Sequence, residues 1–217
     1  RPPRSTLFPY TTLFRSTQNK EYNKAVHTGE KAIELATIND DKPLEITLLL
    51  SLGKGYAEIG EAKKALEKIE MGLELSERTK GSPLQLELIT QVGNAALKAG
   101  DIPGALKHLV KGLETVRKAN NPSTEGSLLI QLGEVHMHNQ DEDQATKYLE
   151  EAQGLSQKIK DRLMEGRTLW VWSQALGKAG NLAGAVSRGQ EALKIYEELK
   201  KIEAKDIRTQ IENWSKD

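Results

Sequence analysis

Residues 49–72 read LLSLGKGYAEIGEAKKALEKIEMG, and the small residues in this stretch return at a fixed interval along the rest of the chain. The interval is forty positions. The recurring residues are Gly53, Gly93, Gly133 and Ser173 in one column, Ala65, Ala105, Ala145 and Ala185 in a second, and Gly72, Gly112, Ala152 and Ala192 in a third. No gap is needed to keep the three columns in register. Fixed-period self-similarity of this kind is the signature of a repeat architecture.

Each repeat has the apolar periodicity of two helices. Leu49, Leu52 and Tyr56 follow one another at spacings of 3 and 4 and predict a first helix, helix A, over about 43–59. A second helix, helix B, is predicted over about 61–80, where Ala65, Ile69 and similar residues face inward. Apolar and polar residues do not alternate with the period of a strand, so we expect no strands.

The small columns indicate where the helices approach most closely. Glycine in the middle of a helix costs about 1 kcal/mol relative to alanine. A glycine column repeated in register therefore implies a repeated close contact, since helices packed about 8–10 Å apart need small side chains at the crossing point. Gly60, Gly100 and Gly180 belong to a different class. Each follows a helical pattern and precedes a polar residue, which predicts a helix C-terminus followed at once by a new helix.

The repeat resembles the tetratricopeptide repeat. That family has a large residue, then Leu-Gly, then Tyr in helix A, and small residues around a large one in helix B. The first full unit matches with Leu49, Leu52-Gly53, Tyr56, Ala65, Ile69 and Gly72, and the resemblance extends over about residues 20–200. The long period and the lack of a proline ending helix B resemble the long-period branch of bacterial signalling proteins. The resemblance implies an all-α fold, a right-handed α-solenoid of antiparallel helix hairpins.

The register also divides the chain. Residues 1–16, RPPRSTLFPYTTLFRS, resemble a translated sequencing adapter, and we leave them out of the fold. Residues 17–40 carry a helix B only, so we expect the natural chain to continue upstream, with possible additional domains there. Four repeats are predicted at about 43–82, 83–122, 123–162 and 163–202. For residues 203–217, an apolar stripe on a polar helix favours a C-terminal capping helix over a helix that awaits a further repeat.

Composition and motifs argue against several functions. Lys and Arg total 31, as do Asp and Glu, and there is no cysteine, so neither nucleic acid, an anionic membrane nor thiol chemistry is favoured. Gly53-Lys54-Gly55 lacks the spacing of a phosphate loop, and His136 and His138 are too close in sequence to share a helix face as metal ligands. We therefore expect no catalytic residues, no metal and no cofactor, and hence no enzyme. We expect a cytoplasmic chain without membrane spans.

The resemblance implies that helix A lines a concave groove, at its second, fifth, ninth, twelfth and thirteenth positions. The candidate groove residues are Leu50, Lys54, Thr90, Asn94, Leu97, Ile130, Glu134, Met137, Arg167, Trp170 and Gln174. Trp170 is the best single anchor for a partner, although packing against its neighbours explains it equally well. The predicted function is a scaffold that binds a protein or peptide. The alternative is a structural, oligomerisation or sensor segment of a larger multidomain bacterial signalling protein.

Overall fold

The computed structural model describes residues 8–79 and 82–215, with side chains from residue 21 onward. Within these ranges the chain forms α-helices and no strand, which confirms the predicted all-α solenoid class. The helices are α1 (Phe8–Ile38), α2 (Lys42–Glu58), α3 (Ala62–Thr79), α4 (Gln85–Ala99), α5 (Ile102–Lys118), α6 (Pro122–His138), α7 (Glu142–Ile159), α8 (Arg162–Lys178), α9 (Leu182–Glu198) and α10 (Ala204–Trp214). Helices α2, α4, α6 and α8 fall at the predicted helix A positions. Helices α3, α5, α7 and α9 fall at the helix B positions.

The adapter-like segment 1–16 is described only in part. Residues 1–7 lie outside the described residues, while residues 8–16 form the start of α1. This helix therefore begins upstream of residue 17, where a partial repeat was predicted to begin. The division into an adapter segment, a partial repeat, four full repeats and a cap remains a prediction.

The helices group into two compact units. Unit 1 comprises residues 1–101 and unit 2 comprises residues 102–217. In unit 1, α2 pairs with α3, and α1 and α4 pack on either side of that pair. In unit 2, α6 pairs with α7 and α8 with α9, α5 packs on α6, and α10 packs on α9.

The chain turns at regular intervals of half a repeat, and most turns pass through a residue in the left-handed region. The residues with positive φ in the turns are Asp40, Gly60, Gly100, Asn120, Gln140, Lys160, Gly180 and Lys200. At each of these turns the next N–H donates to a carbonyl five residues earlier, as from Glu61 to Tyr56 at 2.9 Å. This is the Schellman arrangement, which satisfies carbonyls left open at a helix C-terminus. The predicted helix ends at Gly60, Gly100 and Gly180 are confirmed, and residues with side chains take the same geometry at the other turns.

The residue after most turns begins the next helix. Asp141 donates its N–H to the His136 carbonyl, and its own carboxylate accepts from the Gln144 N–H at 3.2 Å. The same side-chain cap forms at Asp41, Asn121, Asp161 and Asn181. One residue thus closes a helix and caps its successor. Because these connections are short, the two helices that they join run antiparallel.

The predicted close contacts lie in the cores of the α2–α3, α6–α7 and α8–α9 hairpins. A Cβ atom on Gly53 would come within 2.4 Å of the Ile69 side chain, and one on Gly133 within 2.6 Å of Leu149. In the fourth repeat Ser173 replaces the glycine, and its hydroxyl donates to the Ala185 carbonyl at 2.6 Å. The small side chains therefore allow helix A to lie directly against helix B, as the glycine column predicted.

Polar contacts between successive repeats keep the same register. The last turn of helix B reaches the first turn of the next helix A through Thr37 and Glu45, Arg117 and Glu125, and Gln157 and Glu165. Successive pairs are separated by one or two repeat lengths. In each pair the helix B residue is exposed and the helix A glutamate is half-buried, so each contact contributes only modestly to stability. Their recurrence in register still favours one alignment of neighbouring repeats over a slipped one.

Candidate functional site

The candidate residues of unit 1 lie on α2 and α4. Lys54 is exposed, and its Nζ lies 2.5 Å from Glu87 Oε1, so its charge is paired across the two helices. Thr90 is half-buried and donates its hydroxyl to the Leu86 carbonyl at 3.0 Å. Asn94 and Leu97 are half-buried. Leu50 is only 4% exposed, so its side chain serves packing and contributes almost no surface.

The candidate residues of unit 2 lie on α6 and α8, which contact each other directly. Arg167 and Gln174 are exposed, whereas Glu134, Met137 and Trp170 are half-buried. We call these five residues the α6–α8 surface. Ile130, the sixth candidate on these helices, is 4% exposed and lies in the core.

Trp170 takes part in packing and keeps an exposed edge. Its ring contacts the buried cluster of Leu169, Ala192 and Ile195, and also a second cluster formed with α10. The Trp214 ring lies over it with ring centroids 6.0 Å apart and an interplanar angle of 43°. Trp170 therefore packs against its neighbours and also borders the surface, and its role as an anchor for a partner stays a prediction.

A depression of 650 Å³ opens where α6 and α8 end. Its walls are formed by Met137, His138, Gln140, Glu142, Lys178 and Ala179. Lys178 Nζ lies 3.4 Å from His138 Nε2, so two side-chain nitrogens face this space. Of these residues Met137 was a candidate groove residue, and His138 and Lys178 lie at the thirteenth position of helix A in the same groove pattern. Gln140 and Glu142 were missed because they lie in the turn and at the start of helix B, where a pattern based on helix A cannot find them.

Two further polar side chains, His136 and Tyr56, take part in helix packing. His136 stacks on Tyr148 with centroids 5.4 Å apart, and its Nδ1 lies 3.2 Å from Asp141 Oδ2. His136 lies two repeat lengths after Tyr56 and is half-buried, and these contacts place it in the packing between α6 and α7. In unit 1 the Tyr56 hydroxyl donates to Glu30, and this hydrogen bond, together with burial, raises the pKa of Tyr56 to about 12. These contacts hold neighbouring helices together.

Residues 8–79 and 82–215 show neither a metal-binding group nor a membrane-spanning helix. His, Asp and Glu side chains nowhere gather there in a group of three that could hold a metal ion. None of the helices in that part of the chain combines the length and apolar character needed to cross a membrane.

A protein-family model matches the hairpins of unit 2. Residues 124–198, which contain most of α6 and all of α7, α8 and α9, match the model of the tetratricopeptide repeat. This segment is a tetratricopeptide-repeat array. A comparison with curated protein sequences finds no match.

Solved tetratricopeptide-repeat structures resemble the chain over most of its length. A signal transduction ATPase with numerous domains from Pyrococcus horikoshii, with a tetratricopeptide-repeat sensor, has a TM-score of 0.68 at 17% identity and covers 89% of this chain. Only 29% of that ATPase is matched. A kinesin light chain-like repeat protein from Podospora anserina has a TM-score of 0.71 at 17% identity, covering 86% of this chain and 92% of its own.

A third similar structure is a Rap protein in complex with competence and sporulation factor. Its TM-score is 0.60 at 12% identity, and the match covers 91% of this chain and 60% of the Rap chain. At these identities the likeness concerns the fold. Tetratricopeptide repeats are in general non-enzymatic scaffolds for protein interactions, and the described helices have that fold.

Proposed function

We propose that the chain binds a peptide segment of a partner protein on the α6–α8 surface. The observation that carries this proposal is the arrangement of the surface itself. Met137 and Trp170 supply half-buried apolar contacts, and Glu134, Arg167 and Gln174 supply a polar rim beside them. An apolar strip with a polar rim is how helical and extended peptides are commonly recognised.

The charges of this surface favour a ligand that has no strong net charge of either sign. Glu134 and Arg167 carry opposite charges on neighbouring helices, so neither a strongly acidic nor a strongly basic peptide is preferred. In unit 1 the charge of Lys54 is already paired with Glu87. We therefore expect apolar anchors in the ligand to provide most of the affinity, and the charges to set its orientation.

Alanine substitutions at Arg167 and Gln174 test the proposal. A peptide selected from a random phage library against the full chain serves as the probe, with affinity measured by calorimetry. Each substitution should weaken binding about tenfold if the side chain contacts the peptide. Both side chains are exposed, so the helical content should not change.

The matched control is Lys147→Ala, an exposed position on helix B of the same unit. Its affinity should equal that of the unsubstituted chain. If Lys147→Ala weakens the selected peptide while Arg167→Ala and Gln174→Ala leave it unchanged, the binding surface lies on helices B and the proposal is wrong.

A second candidate is the sensor segment of a larger signalling protein. The likeness to the tetratricopeptide-repeat sensor of a multidomain ATPase supports it, since this chain matches only 29% of that protein. This candidate includes the upstream domains and the cytoplasmic location expected from the sequence. The reading frame of the complete gene tests it, because an NTPase or other signalling domain joined to the array is expected, and an array that stands alone contradicts it.

A further inference from the structure

Helix α10 does not continue the repeat. If the repeat register ran on from α8, then Thr209, Glu212 and Asn213 would take the buried positions of Leu169, Trp172 and Ser173. All three are exposed instead. The residues that face the array are Ile207 at 1% exposure, Ile211 at 7% and the half-buried Trp214.

The buried face of α10 thus corresponds to a different face of helix A. In the repeat register Ile207 and Trp214 align with Arg167 and Gln174, which are exposed on the α6–α8 surface. Helix α10 is therefore turned about its axis relative to a true helix A. Three apolar side chains face the array at an i, i+4, i+7 spacing: Ile207 and Ile211 pack on α9 beside Tyr196, and Trp214 reaches α8.

Trp214 lies on the predicted binding surface of α8. Its ring contacts Trp170, and a Cβ atom on Gly177 would come within 2.7 Å of Trp214 Cζ2. Trp170 and Gly177 lie at the fifth and twelfth positions of helix A, two of the positions that the groove pattern assigns to the binding surface. The indole ring of Trp214 therefore rests against the α8 backbone and covers one side of Trp170, where a peptide on the α6–α8 surface would make its apolar contact.

Helix α10 is short, and it is held by its apolar contacts with α9 and Trp170 and by the ion pair of Arg208 with Glu197. The helix has 11 residues and lacks a side-chain cap at its N-terminus. Ile202, in the connection that leads to it, is 88% exposed. Isolated helices shorter than about 12–15 residues are marginal in water, so α10 depends on its few apolar contacts. Elements held in this way open at a much lower free energy than the core does.

We propose that α10 is a detachable cover that packs on α9 and over Trp170, one residue of the α6–α8 surface, and that a partner helix with apolar side chains at i, i+4 and i+7 binds by displacing it. This inference rests on the proposed function and specifies its ligand. Because α10 is joined to the array by a short connection, it competes at a high effective concentration. Binding in trans is consequently weak until α10 is loosened.

Binding of the chain's own helix in trans tests the proposal. The probe is a fluorescein-labelled peptide of residues 201–217, titrated with the full-length chain and followed by anisotropy. Trp214→Ala should loosen the internal helix and tighten binding of the probe about tenfold or more, as expected when a competing closed state is removed. The matched control, Thr209→Ala, changes an exposed residue of the same helix and should leave the affinity as it is.

Hydrogen exchange on the unsubstituted chain gives an independent measure, which holds even if Trp214→Ala disturbs folding. Amides of residues 207–214 should exchange at least about tenfold faster than those in the centre of α9. Equal probe affinity for Trp214→Ala and the unsubstituted chain, or exchange in α10 as slow as in α9, overturns the proposal. Neither measurement needs an external partner, so a failed peptide selection and a failed displacement remain distinguishable.

Discussion

Replacing Gly133 by alanine should lower the free energy of unfolding by about 2 kcal/mol, although alanine is the better helix former. The added methyl group would lie 2.6 Å from Leu149 Cγ and 2.7 Å from its Cδ2. Leu149 is fully buried, so it cannot swing aside. Helix A and helix B of the hairpin must therefore move apart, and that loss exceeds the gain of about 1 kcal/mol in helix propensity.

Gly154→Ala is the control, and we expect it to change the free energy of unfolding in the opposite direction. Gly154 lies inside α7, and a Cβ atom placed on it meets nothing within 4 Å. Gly154→Ala should raise the free energy of unfolding by about 0.5–1 kcal/mol. Urea unfolding followed by circular dichroism measures both variants. Stabilisation by both substitutions would contradict the close packing at the glycine column.

Leu88→Ala should destabilise unit 1 by about 3 kcal/mol. Leu88 lies on α4, is fully buried, and places its Cδ2 3.1 Å from where a Cβ atom on Gly72 would lie. It thus fills the space that Gly72 leaves between α3 and α4. Truncation leaves a cavity at the contact between successive repeats. In an array whose stability comes from neighbouring interfaces, this weakens the coupling of one repeat to the next.

Met71→Ala is the matched control for Leu88→Ala. Met71 belongs to α3 in the same unit but is 44% exposed, so its loss should change the free energy of unfolding by no more than about 0.5 kcal/mol. The pair is measured by urea unfolding and by hydrogen exchange of α2 and α3. Similar losses from the two substitutions would show that the contact between α3 and α4 does not hold the repeats together.

The repeat and its helix packing could be predicted from the sequence. Small residues at a fixed spacing indicate close contacts between helices, whichever residue lies opposite them. The turns were predicted only in part. Gly60, Gly100 and Gly180 signal a left-handed residue, whereas Lys160 and Lys200 take up the same geometry with no signal in their residue type. At those positions the flanking hydrogen bonds and packed helices impose the conformation, and a single residue cannot reveal it.

The binding surface was less predictable than the fold. Leu50 and Ile130 occupy the same column as Trp170, yet both are buried while Trp170 is half-buried. Side-chain size does not explain the difference, since Thr90 of the same column is smaller and is also half-buried. The rotation of α10 about its axis could not be predicted from the sequence either. An apolar stripe indicates that a helix packs, but it does not tell which face of the neighbouring helix it covers.

A hydrogen-exchange footprint of the phage-selected peptide on the full chain shows which helices bind it. We expect slower exchange on α6 and α8, around Glu134, Met137 and Gln174, with α7 unchanged and α10 exchanging faster as it is displaced. A footprint confined to α7 and α9, the helices B of unit 2, would contradict the assignment of binding to helix A.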